Sequence, residues 1–196
     1  MTGVQTCALP ISDDLSTGIP SRLEGTAHAT LDLAAVDAVQ SIRAIIRAHD
    51  VTSVIHLAAR KKVGESVELP EWYYSQNIGG MANLLEAMKA EGVKRLVFSS
   101  SAATYGMPDV DFVAEDFNCK PINPYGETKL IGEWLGRAAG KAWGLRAVNL
   151  RYFNVAGAGW DDLADTAVAN LIPIAFAALK AGEAPKVFGD DYATAD

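Results

Sequence analysis

The chain has 196 residues, of which 49% are hydrophobic and 21% are charged. This length supports one domain with a sizeable core, and the composition is that of a globular protein rather than a disordered or membrane-embedded one. The formal net charge of −7 argues against nucleic acid as the main partner, because phosphate binding requires clustered Lys and Arg.

Cysteines and histidines are few and scattered. Cys7 and Cys119 lie far apart, and the three histidines do not have the spacing of metal ligands, so we expect neither a disulfide nor a metal site. The late apolar stretch at residues 171–179 is too short to span a bilayer. Since the first residues lack the basic start and apolar run of a signal peptide, we expect a cytoplasmic protein that does not enter membranes.

From about residue 26, short apolar runs alternate with longer amphipathic stretches. This rhythm predicts an α/β fold, a Rossmann-like doubly wound parallel sheet. The runs at 54–58, 96–98 and 145–150 are typical of strands buried on both faces. Apolar residues at helical spacing predict two helices. The first contains Val36, Val39, Ile42 and Ile46, and the second contains Met81, Leu84, Leu85 and Met88. The second helix is expected to end near Gly92.

A third helix is predicted after Asn123, an N-cap residue followed by proline at the first helical position. Tyr125 and Lys129 are four residues apart on it, so they share one face. A lysine ammonium about 4 Å away is sufficient to help a tyrosine hydroxyl lose its proton. The pair is therefore a candidate acid/base couple, although a tyrosine with a neighbouring lysine also occurs for structural reasons.

The serines at residues 99–101 follow a predicted buried strand. In open parallel sheets, ligands bind beyond the carboxyl ends of the strands. A hydroxyl such as that of Ser101 can there hydrogen-bond the oxygen that the tyrosine deprotonates. The alternative is that the serines only end the strand in a turn.

Together these motifs resemble the extended short-chain dehydrogenase/reductases, the NAD-dependent epimerase/dehydratase family, and within it the enzymes that epimerise UDP-hexoses at C4. The resemblance covers Asp13 to Asp196. It rests on residues 13–18, His56 to Ala59 with Lys61 and 63–66, Tyr73, Tyr74 and Asn77, 99–106, 123–129, 151–154 and 188–196.

The resemblance implies NAD-dependent interconversion of UDP-glucose and UDP-galactose through a transient 4-keto sugar. It assigns Tyr125 as acid/base, Lys129 as its electrostatic partner and Ser101 as the hydroxyl that positions the sugar. It implies NAD contacts from these three residues and from Asp13, Asp14, Ser16, Asp32, Leu33, Leu57, Ala58, Ala59, Lys61, Gln76 and Phe153. It implies UDP-sugar contacts from Ser101, Tyr125, Asn154, Asn170, Leu171, Lys186, Val187 and Phe188, and a homodimer in the full-length enzyme.

We interpret residues 1–12 as a non-native leader, 13–160 as a partial NAD-binding domain and 161–196 as the start of a substrate-binding lobe. No glycine-rich turn of the kind that cradles a pyrophosphate occurs in this sequence. If the family's strand order holds, we therefore expect the first two strands and the first helix to be absent. They would lie between the strands near Ala29 and Ile55.

Three alternatives remain. A 4-epimerase of another UDP-sugar fits the same motifs. A sugar-nucleotide 4,6-dehydratase shares the Tyr/Lys pair but needs acidic groups after the serine, where Ala102 and Ala103 stand. A non-catalytic NAD-binding protein, or an inactive fragment, represents a different functional class.

Overall fold

The computed structural model describes residues 10–160, 163 and 171–186. The chain divides into two compact units, one ending at Phe153 and the other beginning at Asn154. The first unit contains all the described strands and the first five described helices.

Five parallel strands form two separate sheets in the described part of the first unit. In the smaller sheet β1 (Ile11–Asp13) pairs with β2 (His28–Thr30). In the larger sheet β4 (Arg95–Ser101) lies between β3 (Val54–His56) and β5 (Arg146–Tyr152). Both sheets are parallel, which confirms the predicted Rossmann-like α/β class.

The helices lie between these strands in the chain. They are α1 (Ala38–Ala48), α2 (Val63–Glu68), α3 (Pro70–Tyr73), α4 (Gly80–Ala90) and α5 (Pro124–Trp143), and a π-helical segment, Tyr74–Gly79, joins α3 to α4. Short 3-10 turns cover Pro20–Leu23 and Ala102–Tyr105. The second unit contains one described helix, α6 (Leu171–Lys180).

The hydrophobic core occupies one face of the larger sheet. Leu96 and Phe98 of β4 point into it, together with buried side chains of α1, α4 and α5. On the opposite face Ile55 is 60% exposed and Val148 is 57% exposed. The expectation of strands buried on both faces is therefore wrong for the described residues, because the helices that pack on this sheet lie on one side of it.

One local prediction also needs correction. Val36 was predicted to join the buried stripe of the first helix, but the helix begins at Ala38 and Val36 is fully exposed. Ahead of the stretch near residue 26 where the βα rhythm begins in the sequence, Ile11–Asp13 forms β1 within the first unit. The parallel pairing of β1 with β2, rather than its apolarity, makes this short segment a strand.

Close approach of α5 to β4 depends on glycine. A Cβ added at Gly132 would lie 2.5 Å from the ring of Phe98, which is itself buried. At Gly136, one turn further, an added Cβ would make an ordinary 3.4 Å contact with Ala147. The glycine-bearing side of α5 is thus the side that faces the sheet.

None of the described helices combines the length and apolar character needed to cross a membrane. Leu171 and Phe176 of α6 are apolar and exposed within the second unit. That unit otherwise contributes only short irregular segments to the described residues.

Replacing Gly132 with alanine tests the packing of α5 on β4. We expect G132A to lower the free energy of unfolding by about 1–3 kcal/mol, because the ring of Phe98 must move in a filled core. The matched change G136A adds the same methyl where it fits and should be neutral or stabilising by up to about 1 kcal/mol. Urea unfolding of both variants measures the difference, and equal effects would contradict the packing described here.

Candidate active site

The start of α5 is fixed by its own sequence. The Asn123 side chain accepts a hydrogen bond from the Gly126 amide at 2.8 Å, and Pro124 occupies the first helical position. This is the predicted N-cap, and it satisfies one of the amides that a helix start leaves without a partner. Tyr125 and Lys129 consequently lie one turn apart on the side of α5 that faces the sheet.

Lys129 is buried, with 4% of its surface exposed. Its Nζ donates to the Ser99 carbonyl oxygen at 2.7 Å and lies 5.8 Å from the centre of the Tyr125 ring. Burial lowers the pKa of Lys129 to about 8, because a charge is poorly solvated away from water. Lys129 thus brings a cation close to Tyr125 at the end of β4.

Ser101 ends β4 and caps the 3-10 turn that follows. Its Oγ accepts a hydrogen bond from the Ala103 amide at 3.1 Å. The first turn of α5 lies directly on this 3-10 turn, since a Cβ at Gly126 would come within 2.6 Å of the Ala103 carbonyl oxygen. The structure therefore brings Ser101, Tyr125 and Lys129 together at the carboxyl edge of the larger sheet, and both Ser101 and Tyr125 are half-buried.

Other predicted cofactor residues lie at the same edge. Leu57 and Ala58 follow β3, and Phe153 follows β5, and all three are exposed or partly exposed. Ala59 is half-buried and Lys61 is exposed in the loop after β3. Because parallel strands end at one edge, the carboxyl ends of β3, β4 and β5 present these side chains beside Ser101.

The carboxyl edge of the smaller sheet carries the predicted acidic residues. Asp13 ends β1 and accepts the Leu15 amide at 2.6 Å. Asp32 follows β2 and accepts the Ala34 amide at 2.8 Å, while Leu33 packs partly into the core. Carboxylates at this position of a Rossmann-like sheet can hydrogen-bond a ribose.

Arg60, which the sequence analysis did not single out, joins the two edges. Its guanidinium donates to Asp14 at 2.6 Å, to Ser16 Oγ at 2.6 Å and to Gln76 at 3.4 Å. Partial burial would raise the pKa of Asp14, but hydrogen bonds from Ser16 and the Arg60 charge outweigh it and lower that pKa. Three predicted cofactor residues, Asp14, Ser16 and Gln76, are thus held by one arginine, whose sequence position gave no signal of this role.

Asn77, a motif residue without a predicted role, lies between the loop after β3 and α5. Its amide nitrogen donates to the Arg60 carbonyl and to Thr128 Oγ1, both at 3.0 Å, and its oxygen accepts the Arg60 amide at 2.8 Å. Thr128 is the residue before Lys129. Asn77 therefore ties the loop after β3 to the helix that carries the Tyr/Lys pair.

The predicted sugar-nucleotide residues belong largely to the second unit. Asn154, Leu171 and Lys186 are exposed there. Asn170, Val187 and Phe188 lie outside the described residues. Within the described ranges, no group of three or more His, Cys, Asp and Glu side chains is placed to hold a metal ion.

Comparison with known proteins assigns the family. The sequence matches the NAD dependent epimerase/dehydratase family over residues 11–196. The chain belongs to this family. It is 46% identical over 159 residues to a UDP-glucose 4-epimerase of Lactobacillus helveticus, a match that covers 78% of this chain and 47% of that protein.

Solved structures of family members agree with the fold. UDP-glucose 4-epimerase from Brucella ovis in complex with NAD superposes with a TM-score of 0.86 at 38% identity, covering 94% of this chain and 57% of that one. The Stenotrophomonas maltophila enzyme with bound NAD and formylated UDP-arabinopyranose superposes with a TM-score of 0.81 at 38% identity, covering 94% and 58%. The chain thus spans about half the length of the curated relatives that it matches.

The chemistry of the edge residues fits the family's NAD cofactor. Asp13 offers a carboxylate suited to a ribose, and exposed Leu57 and Phe153 offer apolar surface suited to a ring. Burial lowers the pKa of His56 to about 4, and the Lys129 charge adds to this effect, so His56 is neutral beneath the site. Lys129, and not His56, therefore supplies positive charge near Tyr125.

Two cavities of about 400 and 430 Å³ lie at the other end of the larger sheet. Both are lined by Arg95 and Arg146, the first residues of β4 and β5. Neither is lined by a predicted site residue.

The lowered pKa of Lys129 predicts a pH-dependent stability. The ordinary pKa of a lysine side chain is 10.5, and that of Lys129 in the folded chain is about 8, so between these values the unfolded chain binds more protons than the folded one. The free energy of unfolding should therefore rise with pH across this window, by at most about 3 kcal/mol.

Urea unfolding at several pH values between about 7 and 11 measures this rise. K129M should remove that part of the pH dependence and should be more stable than the wild type near neutral pH. K141M, which changes an exposed lysine of the same helix, should leave it in place. Parallel pH profiles for wild type and K129M would contradict the effect of burial.

Proposed function

We propose that the protein is an NAD-dependent 4-epimerase that interconverts UDP-glucose and UDP-galactose through a transient 4-keto sugar. The observation that supports this most is the placement of Lys129 beside Tyr125, one helical turn from the capped start of α5 and against the end of β4. The similarity to enzymes named UDP-glucose 4-epimerase supports the same reaction.

Ser101 would hydrogen-bond the 4-oxygen of the sugar. Its Oγ already accepts the Ala103 amide, which leaves the hydroxyl proton available to be donated to a substrate oxygen. This contact would hold the oxygen in line with Tyr125 and stabilise negative charge that develops there.

Tyr125 would take the proton from the 4-hydroxyl and later return it. The Lys129 ammonium favours the deprotonated phenol because opposite charges stabilise each other where water is excluded. Bound NAD supplies the hydride acceptor and donor at C4. NAD would be contacted by Ser101, Tyr125 and Lys129 and by the other predicted cofactor residues: Asp13, Asp14, Ser16, Asp32, Leu33, Leu57, Ala58, Ala59, Lys61, Gln76 and Phe153.

A dehydratase reaction is less well supported. Eliminating water from the sugar needs an acid and a base next to the serine, and Ala102 and Ala103 occupy the 3-10 turn there. A 4-epimerase of another UDP-sugar remains an alternative, and the Stenotrophomonas relative binds a UDP-pentose derivative. The choice between UDP-sugars would depend in part on Asn154, Asn170, Leu171, Lys186, Val187 and Phe188.

We also propose a domain organisation and a location for the protein. Residues 13–160 would form the NAD-binding domain and 161–196 would belong to the substrate-binding lobe. The family resemblance supports a homodimer of the full-length enzyme. A cytoplasmic location remains the expectation drawn from the sequence.

Tyr125→Phe tests the proposed base. Expressed from the longest open reading frame that encodes these residues, Y125F should lose at least about 100-fold in kcat, because a positioned acid/base group contributes about 10² to 10⁴. The melting temperature should be unchanged. A coupled assay of UDP-galactose conversion measures the loss.

Tyr73→Phe is the matched control. The Tyr73 hydroxyl is also hydrogen-bonded, to Lys62 and Glu65, and neither partner is a predicted site residue. Y73F should lower stability by about 1 kcal/mol and keep kcat within about threefold. Near-normal turnover by Y125F would show that another group moves the proton.

The 196-residue chain itself should bind NAD weakly. Its sequence has no glycine-rich turn to hold the pyrophosphate, so we expect a Kd above about 1 mM and no epimerase activity. Isothermal titration calorimetry with NAD measures this. Micromolar binding would mean that the edge residues bind the dinucleotide without such a turn.

A further inference from the structure

Glu133 continues the line of functional residues along α5. Tyr125, Lys129 and Glu133 follow each other at four-residue spacing, so all three lie on the side that faces the sheet. Glu133 is 1% exposed. A carboxylate this deeply buried requires partners, and the reaction described above does not use it.

The partners of Glu133 come from both neighbouring strands. Ser100 donates its hydroxyl to Glu133 at 2.5 Å, and Arg151 donates through two nitrogens at 2.9 and 2.7 Å. Arg151 also donates to the Glu115 carbonyl at 2.9 Å and lies 4.7 Å above the Tyr105 ring. One carboxylate therefore connects α5 to the ends of β4 and β5 and to the turn after β4.

The ion pair is charged and mutually stabilised. Burial alone would raise the pKa of Glu133, but hydrogen bonds from Arg151 and Ser100 and the Arg151 charge outweigh it and lower that pKa. The Glu133 hydrogen bond in turn raises the pKa of Arg151. A buried pair of this kind adds little stability compared with apolar residues of similar volume, so stability alone does not account for it.

Each of the last three residues of β4 makes a different contact. The Ser99 carbonyl accepts from Lys129, the Ser100 hydroxyl donates to Glu133, and Ser101 supplies the hydroxyl at the site. A shift of α5 along β4 would break the Glu133 contacts and separate Tyr125 from Ser101 at the same time. Displacement by about 1 Å at a reacting centre can cost about 100-fold in rate.

We propose that Glu133 is a positioning residue that, with Arg151, sets the placement of Tyr125 and Lys129 relative to Ser101. Its effect on turnover rests on the proposed function. Its effect on the placement of α5 does not depend on that function.

The kinetic test uses the longest reading frame with two variants. E133Q leaves Arg151 buried without its counter-ion and should lower both stability and kcat, with kcat falling about 10- to 100-fold. The double variant E133Q/R151M removes both charges and should recover most of the lost melting temperature. Its kcat should stay at least about tenfold below wild type, with KM for the UDP-sugar and bound NAD within about threefold.

Glu91 offers a matched control. It forms a similar carboxylate bridge, to Arg43 and Arg47 at 2.7 Å, but between α1 and the end of α4. E91Q should lower the melting temperature and leave kcat unchanged. If E133Q/R151M recovers both stability and wild-type kcat, the pair serves stability only and the proposal is overturned.

Amide hydrogen exchange of the 196-residue chain provides a readout without catalysis. E133Q, or the double variant if E133Q does not fold, should speed exchange at least about tenfold at residues 99–105 and 124–130. E91Q should speed it only at 38–48 and 80–93. Unchanged exchange at 124–130 would overturn the proposal, whereas absent epimerisation by the wild type would reject the proposed function and leave this result standing.

Discussion

The packing of α5 on the end of β4 is the contact on which the site depends. Gly132 allows the helix to approach the Phe98 ring, and this closeness lets Lys129 reach the Ser99 carbonyl and Glu133 reach the Ser100 hydroxyl. A larger residue at 132 would move the helix and lengthen both contacts. The same close approach that builds the core therefore also sets the distance between the Tyr/Lys pair and Ser101.

This arrangement places charges where water is scarce. Lys129 is buried near neutral His56, and Glu133 is buried against Arg151. Each charge would be costly alone, because the interior solvates ions poorly. The two buried charges differ in their partners. Glu133 is neutralised by the Arg151 guanidinium, whereas the described partners of Lys129 are a carbonyl oxygen and aromatic rings. A cation without a counter-ion among its described partners favours deprotonation of the neighbouring tyrosine, as a proton-transfer site requires.

Much of the fold was predictable because its signals are local. The N-cap at Asn123, the end of a helix near Gly92 and the βα rhythm all follow from neighbouring residues, and the structure confirms them. The errors have one cause. Whether a strand is buried on both faces and whether Val36 is exposed depend on which distant elements pack there, and apolar periodicity does not report that.

The sequence alone determined that Tyr125 and Lys129 would share a helix face, because the period of an α-helix fixes which neighbours meet. It also identified the family, because motifs in a fixed order carry that information. Only the tertiary structure decided that Arg60 holds Asp14 and that Glu133 joins Ser100 to Arg151. Arg60 and Asp14 are 46 positions apart, and Glu133 and Ser100 are 33 apart. Contacts at such separations arise from packing between elements, which no local spacing specifies.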